Sequence, residues 1–324
     1  MEDQSGAELC FPQLFNDSCR KPRISQSVAV FIYLLFFISV LTVTLNLLVI
    51  ISVSHFRHLH TPTNLLLLSL AVSDFITGLD IILEGYRHTA CWLLGDVICS
   101  LHVFVSSISL SASLGEMVFI SVDRYVAICD PLHYSTRVTV RRVKMCICVC
   151  WFCSVAYSGV LCRDDLTQPG VFNFCNGHCT TIVGIIDGVV DIVLSFIAPV
   201  AVIIIMYMRV FVTAVSQARA MRSHVAAVTL QHSRTVMIKK SELKAARTLG
   251  IVVVVFLMCF CPYFCYVFTT DTNLPSATGI FMLCISSCLN PVIYALFYPW
   301  FRKALRLIFS LQILQPGSRE TNML

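Results

Sequence analysis

Seven apolar runs, each long enough to cross a lipid bilayer, decide what this chain can fold into. A span needs roughly 20 apolar residues, and the runs lie at residues 28–53, 63–86, 97–124, 145–162, 180–208, 246–269 and 276–297. Polar, turn-rich joints such as "HFRHLHTPTN", "RDDLTQPG" and "TDTNLP" separate them. In hydrocarbon every backbone polar group needs a partner within its own segment, so the runs are expected to be helices. The fold class is therefore an all-α membrane protein, a bundle of seven transmembrane helices over residues 28–297. Composition agrees, with 57% hydrophobic and 13% charged residues against about 25% charged in soluble domains.

Lys and Arg collect on the cytoplasmic side of membrane proteins. With the N-terminus outside, only Arg20, Lys21, Arg23, Arg87 and Arg163 of the 23 Lys/Arg fall on the outer side. The reverse orientation would invert that bias. Residues 1–27 then form an extracellular segment, and 298–324 a cytoplasmic tail. "MEDQSGAELC" lacks the basic-then-apolar layout of a cleaved signal, so the first span is expected to act as its own insertion signal. "NDS" makes Asn16 a glycosylation acceptor on the outer side. "YPWFRKALRLIF" has the pattern of an amphipathic helix lying on the inner leaflet, in contact with membrane lipids. No cysteine follows it to carry a palmitate.

Of 17 cysteines, most lie within spans, where they pack as small apolar groups. Six, Cys10, Cys19, Cys91, Cys99, Cys175 and Cys179, lie on the oxidising outer side, which suits disulfides.

Ionisable groups inside a membrane are costly and mark function. Here they form three layers. At the cytoplasmic end, "SVDRY" places Asp123, Arg124 and Tyr125 at the end of the third span, and Glu242 stands just before the sixth. An arginine held by two carboxylates is a breakable latch; ordinary charge at a helix end is the alternative. At mid-depth Asp74 has Ser113, Ser286, Ser287 and Asn290 available from other spans. That set suits a hydrated Na⁺, or a proton shared among neighbours. Pro291 beside Asn290 frees a backbone carbonyl in the seventh helix, which calls for polar partners. In the outer layer "IIDGVVDIVLSF" puts Asp187 and Asp191 four residues apart, on one helix face. Asp191 stands eight residues before Pro199, about 12 Å along the axis. That depth suits a pocket open to the outside, where a bound cation would relieve the repulsion.

Taken together, these residues resemble the rhodopsin-like G-protein-coupled receptors. The match runs through Asn46, Asp74 in "SLAVSD", "DRY" at 123–125, Trp151, Pro199, Tyr207, "CFCP" at 259–262 and "NPVIY" at 290–294. Within that family "SSCLNPVIYALFYPWF", "CFPQLFNDSC" and "CNGHC" look like the trace amine-associated receptors of fish. The resemblance implies an olfactory receptor in sensory cilia for small extracellular amines, coupled through a stimulatory heterotrimeric G protein to cAMP. It implies disulfides Cys99–Cys179 and Cys175 with Cys10 or Cys19. It also implies an activation lever at Pro199, Leu114 and Phe256, with Tyr207 and Tyr294 turning in to hold Arg124. Basic loops at 137–144 and 234–247 would line the G-protein cleft.

Three departures matter. Receptors of this kind hold the ligand's ammonium on a third-span Asp, 18 residues before the "DRY" arginine; that position is Ser106, in "FVSSISLS" with Ser107. Asp191 can supply the missing charge from the fifth helix. Asp187 is a helper or a second anchor for a diamine; the alternatives are that both acids are hydrated vestibule charges, or that Asp187 pairs with Arg163. The motif "CFCP" carries Phe260 where relatives carry Trp, with Tyr263 and Phe264 above Pro262 and Cys284 facing from the seventh span. The third departure is Ser286, where the subfamily has Asn. Asp80 and Glu84 share a face of the second span, placed to meet the far end of a polyamine or to pair with Arg87 and His88. Glu116, mid-span, has no evident partner.

Other classes fit poorly. An intramembrane enzyme wants a nucleophile–base pair or a metal cluster, and no HExxH or convergent histidine group occurs in the spans. Inverted repeats, expected of a transporter, are absent, and no lysine in the seventh span could hold a retinal Schiff base. Neither an enzymatic cofactor nor a nucleic-acid partner is expected; Na⁺ is the one allosteric ion considered. The competing function is a receptor of the same fold for a non-amine small molecule.

Overall fold

The computed structural model describes residues 8–14, 17–22, 26–180, 184–225, 250–251, 253–261 and 277–323. Long helices run over α1 (Gln26–His55), α2 (Pro62–Thr89), α3 (Asp96–Cys129) and α5 (Val140–Leu161), with the short α4 (Pro131–Arg137) and α6 (Arg163–Thr167) between and after the last two. The fifth span is α7 (Ile185–Ile192), a π-helical turn (Val193–Ile197) and α8 (Ala198–Val225). Residues 253–261 are helical and form α9; α10 is Ala277–Phe297 and α11 Pro299–Phe309. Five helices among the described residues are long and apolar enough to cross a membrane, and Cys284–Phe297 adds a shorter apolar one. The remainder of the expected sixth span, including Pro262, lies outside the described residues.

Helix boundaries follow local chemistry. Thr61 caps α2, its hydroxyl accepting from the Asn64 amide at 3.3 Å, and Pro62 occupies the first turn, where its missing N–H costs nothing. Thr139 caps α5 in the same way, through the Arg142 amide. This cap starts α5 at Val140 rather than at the expected 145, because Arg141, Arg142 and Lys144 extend the helix beyond the apolar run. The fifth helix begins at Ile185 instead of 180, since Cys179 is tied into the preceding loop, and continues past 208 to Val225.

One core joins the bundle, from Val49 and Val53 of α1 through Leu114, Met117 and Ile120 of α3 to Phe256, Tyr294 and Phe301. Helix α1 packs on α2 and α10, and α3 packs on α2, α5 and α8. The α3–α5 approach needs a residue without a side chain: a Cβ on Gly115 would sit 2.4 Å from Cys150 Sγ. Helix α10 continues through Pro291. The carbonyl that Pro291 leaves without a helical donor is that of Ser287, and it accepts from Asn46 Nδ2 of α1 at 3.0 Å. A side chain from a neighbouring helix thus replaces the bond. Asn46→Ala should orphan that buried carbonyl and cost about 1–3 kcal/mol. An unchanged unfolding midpoint in detergent would contradict this.

The amphipathic stretch "YPWFRKALRLIF" forms a helix over Pro299–Phe309, as its pattern leads one to expect. Helix α11 ends at Phe309, and its Trp300, Phe301 and Ala304 are buried against the bundle while Arg302, Lys303 and Arg306 are not. Beyond it the chain folds back. Ser318 meets His55 at 3.0 Å, Glu320 meets Arg57 at 3.4 Å, and Met323 is 1% exposed.

Three disulfides tie the opposite end together: Cys99–Cys179, Cys19–Cys175 and Cys10–Cys91. Cys19, not Cys10, is therefore the partner of Cys175, and Cys10 joins the end of α2. The N-terminal segment also pairs through its backbone, Cys19 N donating to Asn176 O at 2.9 Å. Asn16 lies outside the described residues.

Candidate functional site

A cavity of about 300 Å³ opens among α2, α3, α5, α7, the π turn, α9 and α10. Its apolar walls include Ile81, Val103, Leu110 and Phe260; polar groups gather at two places. At the first, Asp191 Oδ1 accepts from Tyr157 OH at 2.6 Å and from Ser195 Oγ at 2.8 Å. Both donors are neutral. Local sequence explains the placement. Pro199 cannot donate to Ser195 O, four residues back, and its ring crowds that carbonyl; the backbone widens here into the π turn Val193–Ile197. Such a turn carries an extra residue and often marks a functional site. It lies directly between Asp191 and Pro199.

No cation reaches Asp191 among the described residues. The sequence explains why: no Lys, Arg or His occurs between Cys179 and Arg209, or between Gly250 and Phe297. Arg163, after α5, pairs with Asp187 at 3.4 Å. Asp187 is thus in the ion pair considered for it, and it is not among the residues lining the cavity.

At the second polar place, Ser106 donates to Asp80 Oδ2 at 2.5 Å. A carboxylate therefore does stand beside the third-helix position that lost its aspartate, supplied by α2. His102, with its side chain 1% exposed, lies between two acids: Nδ1 is 2.6 Å from Asp80 Oδ1 and Nε2 is 2.9 Å from Glu84 Oε2. The Nδ1 contact is close but poorly angled for a hydrogen bond. Arg87 reaches the other oxygen of Glu84 at 2.6 Å. Arg87 was an anticipated partner; the one for Asp80 is His102, from a different helix, and the His88 side chain is outside the described ones. Ser107 turns to α5, donating to Ser158 Oγ at 2.9 Å, and Cys284 is buried in the cavity wall. Tyr263 and Phe264 lie outside the described residues.

Deeper in the bundle, Asn290 Nδ2 donates to Asp74 Oδ2 at 2.8 Å, and Ser287 also hydrogen-bonds the Asp74 carboxyl. Asn290 Oδ1 is buried with no partner among the described residues, an acceptor of the kind a hydrated cation would use. Ser113 points its hydrogen at Ser73 Oγ (2.9 Å) rather than at Asp74, and Ser286 is buried nearby in sequence. Glu116 acquires partners that its sequence context did not suggest: Ser69 donates to Oε1 at 2.7 Å and itself accepts from Trp151 Nε1 at 3.0 Å.

At the far end, Asp123 pairs with Arg124, whose Nε is 3.0 Å from Oδ2. Thr63 and Tyr134 both donate to the same carboxylate, at 2.9 and 2.8 Å. Burial pushes the Tyr134 hydroxyl up to about 12, so it stays a donor at neutral pH. Glu242 lies outside the described residues. The hydroxyls of Tyr207, Tyr294 and Tyr298 are buried without partners among the described residues. Tyr125 packs against Ile128 and Val210. Phe256 stacks on Phe260 with centroids 3.9 Å apart, and Leu114 and Phe256 belong to one core.

Sequence reasoning passed over Tyr157, Ser195 and His102. Ser195 carried a signal, standing one helical turn after Asp191, as His102 does before Ser106. Tyr157 carried none, because its contact depends on how α5 packs against the fifth helix.

A buried aspartate in α2, Asp-Arg-Tyr at the end of α3 and Asn-Pro in α10 are the marks of one receptor class. Residues 45–294 match the family model described as the seven-transmembrane receptors of the rhodopsin family. Over nearly the full length, the chain is 36% identical to trace amine-associated receptor 8a of Rattus norvegicus, covering 97% of this chain and 96% of that one. It is 35% identical to receptor 13c of Danio rerio, covering 99% and 98%, and 35% identical to receptor 6 of Homo sapiens, covering 98% and 95%. The chain belongs to the trace amine-associated receptors, and it is a multi-pass membrane receptor, not an enzyme.

Proposed function

We propose that the protein senses extracellular amines, with the ligand's ammonium held by Asp191. The observation that carries this reading is an aspartate lining the cavity whose partners, Tyr157 and Ser195, are both neutral. A carboxylate drawn away from bulk water without a cation is costly; Asp191 is half-buried, and no Lys, Arg or His occurs between Cys179 and Arg209 or between Gly250 and Phe297. An ammonium entering the cavity restores the missing pair as a charge-assisted hydrogen bond. Phe260 and Leu110 would cover its apolar body. Ser106, occupied with Asp80, takes no part in charge neutralisation.

Ligand binding moves a two-state equilibrium by its preference for one state. In this reading the fifth helix shifts around its π turn and Pro199, against Leu114 and the Phe256–Phe260 stack. The sixth helix then swings about Pro262. Arg124 leaves Asp123 and Glu242, and the unpaired hydroxyls of Tyr207 and Tyr294 receive it, opening a cleft for a heterotrimeric G protein. Na⁺ beside Asp74 and Asn290 would favour the closed state. The coupling is to a stimulatory olfactory G protein and cAMP, from the plasma membrane of sensory cilia, with the N-terminus and glycosylated Asn16 outside.

The test is cAMP in cells expressing the receptor, challenged with amines and with alcohols of the same carbon skeleton. Responses confined to amines are expected. Responses confined to uncharged odorants would overturn the amine reading in favour of a non-amine receptor of the same fold.

A further inference from the structure

Resting on that amine reading, we infer that the cavity selects monoamines with an uncharged far end and discriminates against diamines, because its second acidic group is already neutralised by the chain's own cations. Four titratable side chains form a row from α2 and α3: Asp80, His102, Glu84 and Arg87. Each neighbouring pair is within 2.9 Å. A neutral imidazole offers one donor nitrogen and one acceptor nitrogen. Both nitrogens of His102 lie within 2.9 Å of carboxylate oxygens, so a neutral ring would bring one nitrogen lone pair close to an anionic oxygen. A proton is therefore held within Asp80–His102–Glu84. With the Arg87 guanidinium at its end, the row sums to zero whichever atom holds that proton. Trp92 stacks on the imidazole with centroids 6.1 Å apart, and an aromatic face favours the cationic ring.

Asp191 contrasts with this row. Two hydroxyls hold it, and no Lys, Arg or His occurs between Cys179 and Arg209 or between Gly250 and Phe297. Among the described residues lining the cavity, Asp191 is the carboxylate without a cation, and it stands at one wall. A ligand's first ammonium completes a pair there. A second ammonium would surrender its water against a wall whose acids are already engaged, at a cost no new pair repays. That wall offers hydrogen bonds, and between the two lie apolar side chains. A cavity of about 300 Å³ suits a small alkyl or aryl monoamine.

The experiment compares straight-chain monoamines with α,ω-diamines of equal carbon count, by cAMP, on wild type, His102→Gln and His102→Gln/Asp80→Asn, each with surface expression measured. Wild type should respond to the monoamine at about tenfold lower concentration or better, equivalent to about 1.4 kcal/mol. His102→Gln keeps a donor but removes the cation, and should move the potency ratio about tenfold or more toward the diamine. Adding Asp80→Asn should return the ratio to monoamine preference. A wild type at least as sensitive to the diamine overturns the inference, and so does a surface-expressed His102→Gln with an unchanged ratio. If His102→Gln does not reach the surface, the wild-type ratio alone decides. Silence toward both series brings down the amine reading itself, a different outcome from a reversed ratio.

Discussion

Asp191→Asn is expected to raise the amine concentration for half-maximal response by about 10²- to 10³-fold. Truncating one partner of a desolvated charge pair costs about 2–5 kcal/mol, and each 1.4 kcal/mol is roughly tenfold. Asparagine retains the shape of the side chain and can still bond Tyr157 and Ser195. The loss would therefore report charge rather than packing. Asp187→Asn is the internal control. Its carboxylate is half exposed and paired with Arg163 at 3.4 Å, and exposed pairs contribute about 0–1 kcal/mol. A shift of less than about fivefold is expected for it. Cells expressing each variant at matched surface level give the comparison. An Asp191→Asn receptor with wild-type amine potency would remove this residue as the anchor, and a large loss at Asp187 would move the anchor toward the cavity mouth.

Disruption of the disulfide end comes second in size. Removing a native disulfide typically costs about 2–5 kcal/mol. Cys99–Cys179 joins the start of α3 to the loop before the fifth helix, and both residues sit buried beside Trp92. Cys99→Ser or Cys179→Ser should reduce surface receptor on intact cells to near background. The two N-terminal bridges should show pairwise identity. Cys19→Ser and Cys175→Ser should cause equal losses, with the double variant no worse than either, and Cys10→Ser should likewise match Cys91→Ser. Each pair shares one bond, so the second substitution removes nothing further. Flow cytometry under non-permeabilising conditions reads this directly. Non-additivity between Cys10 and Cys175 would instead require the alternative pairing.

Much of the fold was legible in the sequence because hydrocarbon permits so few solutions. The runs that became α1, α2, α3 and α10 are read within a few residues, since a backbone in lipid must be helical. Boundaries moved where water and caps take over from lipid. Thr139 begins α5 five residues early, and the loop holding Cys179 delays the fifth helix. Asp191, Ser106, Phe260 and Cys284 were identified as site residues and line one cavity. Asp187 was left open among several assignments, and the structure places it 3.4 Å from Arg163, a matter of distance no spacing rule could supply.

The order of helices, the polar residues at three depths, a serine at position 106 of the third span and the lack of any Lys, Arg or His between Cys179 and Arg209 and between Gly250 and Phe297 are properties of the chain as written. Residue type and helical period suffice for them. Contacts between helices are a different kind of fact. That Tyr157 reaches Asp191, that Asn46 satisfies the carbonyl exposed by Pro291, and that His102 stands between Asp80 and Glu84 all depend on how one helix is rotated against another. Periodicity assigns a face to each residue, but only close packing, down to the contact of Gly115 with Cys150, decides which faces meet.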